Sequence, residues 1–411
     1  MPFTASDCQR ARLEFPALAR RQGELPIAYL DGPAGSQVPT PVIDAIAGYY
    51  RESNANTHGQ FATSQRSDEL VHLVREKAAS FLGAADWRTI SFGANMTTLT
   101  FALAHAVARA CSPGDEIVIT QLDHEANRGP WLGLAERGLV IREIALRPDG
   151  TLDAESLAAE IGPRTRLVAM GLASNALGTV NDVALARELT RAVGAWLLLD
   201  AVHYAPHFAV DVAALDADFL LCSAYKFYGP HIGLLYSRPG LLDTLATDRL
   251  RTQDPAGPFR IETGTLHHAA LVGVGAAIDF LASWGRGDDL RQQLVDAMSG
   301  IGEWEGALAR RYWSAVRAIP GVTVHGPDFG AFRRAPTVSI TLGGATAEAV
   351  ARRLAERAIQ VWDGDFYAVR AVEVLGLAAV GGLLRTGFLL YNTPEEVDRL
   401  LTGLAEVAAT A

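Results

Sequence analysis

The chain has 411 residues, 49% of them hydrophobic, which is ample for a large core and predicts two or more domains. Its formal net charge of −10 argues against nucleic acid or an anionic membrane surface as a partner, while allowing a local positive pocket. Three cysteines (Cys8, Cys111 and Cys222) and no CxxC exclude a disulfide framework, and no apolar run reaches membrane-spanning length.

The start, Met1 to Asp7, lacks a basic stretch and an apolar core, so no signal peptide is expected and the protein is placed in the cytoplasm. Residues 1–28 read as an arm with one helix. Tyr29-Leu30-Asp31-Gly32-Pro33 is a short strand breaking into a turn, and a helix follows from about Pro41 to Arg51. Ser53 to Gly59 is polar and turn-rich, and Asp68 to Phe81 has the spacing of an amphipathic helix. From residue 88 strands and helices alternate. Strands fall at 89–92, 116–120, 140–144, 166–170, 196–200 and 219–222, with another at 233–236. Repeated β-α units predict a mainly parallel sheet covered by helices on both faces. Leu271 to Leu281 is an apolar helix whose Gly273-Val274-Gly275 is a fragment of a dinucleotide motif. No strand precedes it and no third glycine follows, so it is set aside. Trp284 to Asp289 is the best domain boundary. Beyond it come a long helix (290–319), strands at 322–324, 337–341 and 384–391, and helices near 345–358 and 394–408: a compact α+β unit.

The chemistry gathers at strand ends. Lys226 sits on a tight loop between two buried strands, where its ammonium must find partners or lose its proton. A lowered pKa is what an imine-forming lysine needs. The run Trp196-Leu197-Leu198-Leu199-Asp200 delivers a carboxylate to the edge where open α/β sheets bind ligands. Ser223 stands three residues before the lysine. An Asp for a pyridine nitrogen, a Lys for an aldehyde and a Ser for a phosphate are the three anchors of pyridoxal 5'-phosphate (PLP). The turn Gly93-Ala94-Asn95 opens a helix whose free N–H groups suit a phosphate.

With these residues in place, the chain from Tyr29-Leu30-Asp31 to Tyr391-Asn392-Thr393-Pro394 resembles class V aminotransferase-fold enzymes, the group of cysteine desulfurases and selenocysteine lyases. The resemblance implies the fold type I architecture of PLP-dependent transferases: an α/β domain (29–285) with a mainly parallel seven-stranded sheet sandwiched by helices. It also implies a smaller α+β C-terminal domain (286–411) against which the arm (1–28) packs. It implies that Ala94, Asn95, His203 and Ser223 contact the cofactor phosphate, that His124 stacks on the ring and shuttles protons, and that Asn175 bonds the ring oxygen. Lys226 and Asp200 keep the roles above, and Arg385 takes the substrate carboxylate. Thr265 would reach the phosphate of a partner subunit in a homodimer with shared active sites, and the His58 segment would lie near the substrate. No metal is expected.

Two departures stand out. Tyr225 occupies the position before the lysine, where the family usually has His. The stretch before Arg385 that carries the nucleophilic cysteine of desulfurases reads Val361-Trp362-Asp363-Gly364-Asp365-Phe366-Tyr367-Ala368-Val369-Arg370, with no cysteine. By position, Tyr367 and Asp363 are candidates for steering the substrate. The expectation is therefore a PLP-dependent enzyme acting on a small α-amino acid by β-elimination or C–S cleavage, without an enzyme persulfide. Transamination, epimerisation and carbon–carbon bond formation use the same carbanion. A non-catalytic binding module is disfavoured by the joint presence of Lys226, Asp200, His124 and Arg385.

Overall fold

The computed structural model describes residues 2–410. The arm carries α1 (Ala5–Leu13), closed by a reciprocal cap in which Asp7 N–H donates to Thr4 Oγ1 and Thr4 N–H to Asp7 Oδ2. Strand β1 (Ala28–Tyr29) and helices α2 (Thr40–Glu52) and α3 (Ala62–Leu82) follow. Helix α3 starts at Ala62 rather than Asp68. Its first turns face a loop instead of the core: Ser67 Oγ donates to Ala55 O at 3.0 Å and Ser64 Oγ to Asn56 O. Polar packing of that kind leaves no apolar period to read.

Next come β2 (Ile90–Gly93), α4 (Met96–Arg109), β3 (Glu116–Thr120), β4 (Val140–Ile144), α5 (Ala154–Glu160), β5 (Thr165–Gly171), α6 (Ala184–Val193), β6 (Trp196–Asp200), β7 (Phe219–Ser223) and β8 (Gly233–Ser237). They form a seven-stranded sheet in the order β2-β8-β7-β6-β5-β3-β4. Only β8 runs antiparallel to its neighbours, β2 and β7; the other pairings are parallel. The strands read as unbroken apolar runs because both faces are covered. Leu197, Leu199 and Leu220 face one helical layer, while Leu198, Phe219 and Leu221 face the other.

Helix α7 (His268–Ala282) lies across α2 and α3. Gly273 and Gly275 serve that packing: a Cβ on Gly273 would stand 2.7 Å from Ile46, and one on Gly275 3.0 Å from Val74. Helix α8 (Leu290–Val316) joins two cores. Its Leu294, Met298 and Ile301 pack with the large sheet, and its Leu308, Tyr312 and Val316 with the second.

That second sheet contains β9 (Val322–His325), β10 (Thr337–Leu342), β12 (Trp362–Gly364) and β13 (Leu383–Gly387), in the order β9-β10-β13-β12. Helices α9 (Ala347–Ala355), α10 (Val369–Val374) and α11 (Pro394–Ala408) accompany it. Strand β11 (Ile359–Gln360) pairs with β1 of the arm segment. The expected strand 384–391 stops at Gly387. Pro33 crowds that glycine, whose Cβ would meet Pro33 Cδ at 2.3 Å. Asn392 Oδ1 then turns the chain by accepting from Leu389 N–H at 2.8 Å. We propose the boundary between the two units at Trp284 to Asp289, the link between α7 and α8. Among the described residues no helix is long and apolar enough to cross a membrane.

Candidate active site

The parallel strands end together, and each end delivers a functional group. Strand β6 ends in Asp200, whose Oδ1 accepts from Val202 N–H at 2.8 Å. Burial pushes its pKa up to about 7, and the neighbouring Asp123 adds to the rise. Strand β7 ends in Ser223, and one turn of 3₁₀ helix lifts Lys226 over the edge. Lys226 is 8% exposed. Its Nζ donates to Pro33 O and, at 3.0 Å, to Ala34 O. Burial lowers its pKa from 10.5 to about 7, helped by the Arg385 charge and opposed by Asp31 and Asp200.

Beyond β3, Asp123 accepts from Gly171 N–H at 3.0 Å and Asn127 Nδ2 at 2.9 Å, which anchors the turn that presents His124. Ala126 N–H donates to His124 Nδ1 at 2.9 Å, so the proton of a neutral ring sits on Nε2. Burial and the two nearby cations hold this histidine down at about 4. Opposite, Asn95 caps α4, and its Oδ1 accepts from Thr98 N–H at 2.9 Å. Ser223 Oγ accepts from Met96 N–H at 3.1 Å. His203 Nε2 pairs with Thr337 Oγ1 at 2.9 Å, while its buried Nδ1 has no partner among the described residues.

Asp200, His124, Asn175, His203, Ser223, Tyr225, Lys226 and Asn95 thus line one cavity, which opens into a cleft of about 620 Å³. Arg385 lines that cleft from β13 and is 2% exposed. It donates to Asp31 Oδ1 at 3.1 Å and to Asn175 O at 3.2 Å, and its Nε has no partner among the described residues. The 361–370 stretch forms the opposite wall. Phe366 (φ 57°) and Tyr367 (φ 59°) are both left-handed, at a cost of roughly 1–2 kcal/mol each. Two hydrogen bonds offset this: Asn175 Nδ2 donates to Phe366 O at 2.8 Å, and Glu125 N–H to Tyr367 O at 2.7 Å. The Tyr367 ring lies 5.5 Å from that of His124.

Some expected residues lie elsewhere. Ala94 is exposed and outside the cavity lining, because the cap at Asn95 turns the chain away; Met96 and Thr97 line it instead. Asp363 is half-buried on β12 and does not line the cleft, since alternation along the strand presents Trp362 there. Thr265 and His58 line a separate cleft of about 560 Å³. Among the described residues no cysteine lines the cavity or the cleft. Sequence reasoning missed Asp31 as the partner of Arg385, Thr97, and the rings of Phe101 and His231. Thr97 carries a signal in its place on the first turn of a capped helix. The Tyr225 ring stacks on His231 at 4.7 Å and 10°, so an imidazole does stand beside the position before the lysine.

These residues fit PLP. Asp200 is a buried carboxyl with one hydrogen bond among the described residues, and a cationic ring N–H would complete it. Among the described residues His203 Nδ1 has no partner, and on the first turn of α4 the Thr97 N–H is the one open to a phosphate, Met96 N–H being taken by Ser223 Oγ and Thr98 N–H by Asn95 Oδ1. Gly233 keeps that end clear, since a Cβ there would stand 2.3 Å from the Asn95 carbonyl carbon.

Residues 28–400 match the family described as Aminotransferase class-V. Cysteine desulfurases of Enterobacter sp. (strain 638) and Serratia proteamaculans (strain 568) are each 35% identical over 415 residues, covering 97% of this chain and 98% of theirs. Among solved structures, the apo cysteine desulfurase of Thermococcus onnurineus NA1 superposes with a TM-score of 0.86 at 28% identity, over 98% of each chain. Cysteine desulfurase CsdA of Escherichia coli gives 0.84 at 29% identity, also over 98% of each. The chain belongs to the class V aminotransferase family, and it is a cysteine desulfurase-like, PLP-dependent enzyme of fold type I.

Proposed function

We propose that the protein cleaves a carbon–sulfur bond, or eliminates another β-substituent, from an α-amino acid without forming a persulfide on its own cysteines. The observation that carries this reading is the wall over Lys226, which holds Trp362, Phe366 and Tyr367 and no thiol. The three thiols are poor nucleophiles where they stand. Burial raises Cys8 to about 12 and Cys111 to about 11, and Cys222 rises too inside the sheet.

Bound PLP supplies an aldehyde and a protonated pyridine ring that stabilises negative charge at the substrate Cα. Lys226 Nζ, with its pKa near neutrality, offers the free amine for that aldehyde and a base for the Cα proton. Asp200 holds the proton of the ring nitrogen. His124 covers the ring and presents Nε2–H. Asn95, Thr97, Ser223 and His203 hold the phosphate. Arg385 offers its open Nε to the substrate carboxylate while Asp31 fixes its other end. Tyr225 flanks the lysine, its ring 5.1 Å from Nζ. We further propose a cytoplasmic homodimer in which Thr265 and the His58 segment serve the partner's site.

The test is the variant carrying Cys8→Ala and Cys111→Ala, assayed on a substrate that the wild type turns over. Turnover is expected within about threefold of wild type. A loss of about a thousandfold, the scale of a removed nucleophile, with a persulfide trapped on either residue of the wild type, would make this a persulfide-forming desulfurase with a relocated thiol.

A further inference from the structure

The cleft above Lys226 has a composition that the proposed chemistry does not require. Rings face it from several segments: Phe101 on α4, Tyr225 and His231 beside the lysine, and Trp362, Phe366 and Tyr367 from the opposite wall. Phe101, Trp362 and Tyr367 are 47%, 43% and 61% exposed, so their faces are available. Among the described residues no aspartate or glutamate lines the cleft, and its cations are Lys226 and Arg385. The Arg385 guanidinium stands at the base, 4.2 Å from the Phe366 ring and ion-paired to Asp31, where its remaining donor serves the substrate carboxylate and not the side chain. The aromatic wall is held in place, because the Asn175 side-chain amide donates to Phe366 O and the Glu125 N–H to Tyr367 O. The cleft, about 620 Å³ without cofactor, shares Asn95, His124, Asn175, Tyr225 and Lys226 with the PLP cavity, so the substrate side chain takes the outer part, where Phe101, Trp362 and Tyr367 stand.

We propose that this cleft selects an amino acid with an aromatic side chain, a β-substituted alanine bearing an aryl thioether rather than free cysteine. The proposal rests on the elimination reading given above. Its chemistry balances without a further reagent. The Cα proton passes to Lys226, the Cβ–S bond breaks, and the sulfur leaves with the bonding pair and takes up a proton as the aryl thiol. Water then hydrolyses the remaining enamine to pyruvate and ammonia. Net, an aryl cysteine and one water give an aryl thiol, pyruvate and ammonium, with no oxidant or reductant. That suits a site without a sulfur-accepting thiol.

Two measurements on the holoenzyme separate the pocket from the reaction. The first is binding of phenylalanine against alanine, by calorimetry. Neither has a β leaving group, so elimination does not contribute to the reading. Phenylalanine is expected to bind at least about tenfold tighter, the scale of one buried ring on aromatic neighbours. Phe101→Ala and Trp362→Ala are each expected to reduce that preference severalfold. The second is thiol release from S-phenyl-L-cysteine against S-methyl-L-cysteine, with kcat/KM expected to favour the aryl substrate by at least about tenfold. Equal affinity for alanine and phenylalanine overturns the proposal. So does a uniform loss for both amino acids in the variants together with dissociation of subunits, which would make the rings subunit contacts. Tighter phenylalanine binding with no thiol release from either cysteine derivative upholds the aromatic pocket and overturns the elimination reading instead.

Discussion

Lys226 shows how burial prepares a residue for chemistry. In water its amine would be almost wholly protonated at neutral pH; buried beside Arg385, it loses its proton near pH 7. Only the free amine attacks an aldehyde. Uptake of PLP by the apoprotein should therefore rise with pH up to about 7 and level off above it. Arg385→Met removes a cation and frees Asp31 to stabilise the ammonium, so both effects raise the lysine pKa. In that variant the midpoint should move upward, read by stopped-flow absorbance; a midpoint that stays or falls contradicts this account. A second prediction concerns identity. Borohydride should fix the cofactor on Lys226, and Lys226→Ala should lose both turnover and the visible band. A tagged peptide from another part of the chain would refute the assignment.

At the scale of elements, the site depends on how closely strand β8 approaches the start of helix α4. Gly233 is the point of contact. A Cβ there would meet the Asn95 carbonyl carbon at 2.3 Å and Met96 N at 2.7 Å, and both are backbone atoms with little freedom to yield. Gly233→Ala should destabilise the protein by about 2 kcal/mol or more and weaken PLP binding by displacing the capped turn. Gly48 is the control. It lies inside α2, and a methyl group there would have nothing within 4 Å, so Gly48→Ala should be neutral or stabilise by up to about 1 kcal/mol. Thermal melts of the two variants, followed by PLP titration, decide the matter. Equal melting temperatures would mean that the strand–helix approach is more tolerant than the distances imply.

At the scale of the molecule, the site lies on a seam. The Asp31–Ala34 segment, the ends of the large sheet and β13 of the second sheet all meet at Lys226 and Arg385. The arm is fastened nearby: Phe3 packs on Trp284 at 5.5 Å, and Cys8 Sγ donates to Asn392 O at 3.3 Å. Thr265 lies outside this seam, three residues beyond Glu262, whose carboxylate is paired with buried Arg75 at 2.6 and 2.7 Å. If Thr265 serves a partner's phosphate, Lys226→Ala and Thr265→Ala subunits should complement each other. Mixed dimers then rebuild one intact site from a Lys226→Ala subunit and a Thr265→Ala subunit. Recovered turnover on mixing is the expected result, and a fully active monomer would exclude the arrangement.

What the sequence by itself determined is local. The alternating apolar runs set out the parallel sheet, and Asp200, Ser223 and Lys226 were legible because each sits within a few residues of the end of a buried strand. A strand end is a position that chain order alone defines. The glycine pair in α7, the outward turn of Ala94, the alternation that presents Trp362 instead of Asp363, and the pairing of Arg385 with Asp31 were decided by tertiary structure. The last joins residues 354 positions apart, and no spacing rule connects them. The missing cysteine was visible in the sequence, but what stands in its place was not. Left-handed backbone at Phe366 and Tyr367 has no signal in two aromatic residues, because it is imposed by hydrogen bonds from Asn175 and Glu125 across the assembled cavity.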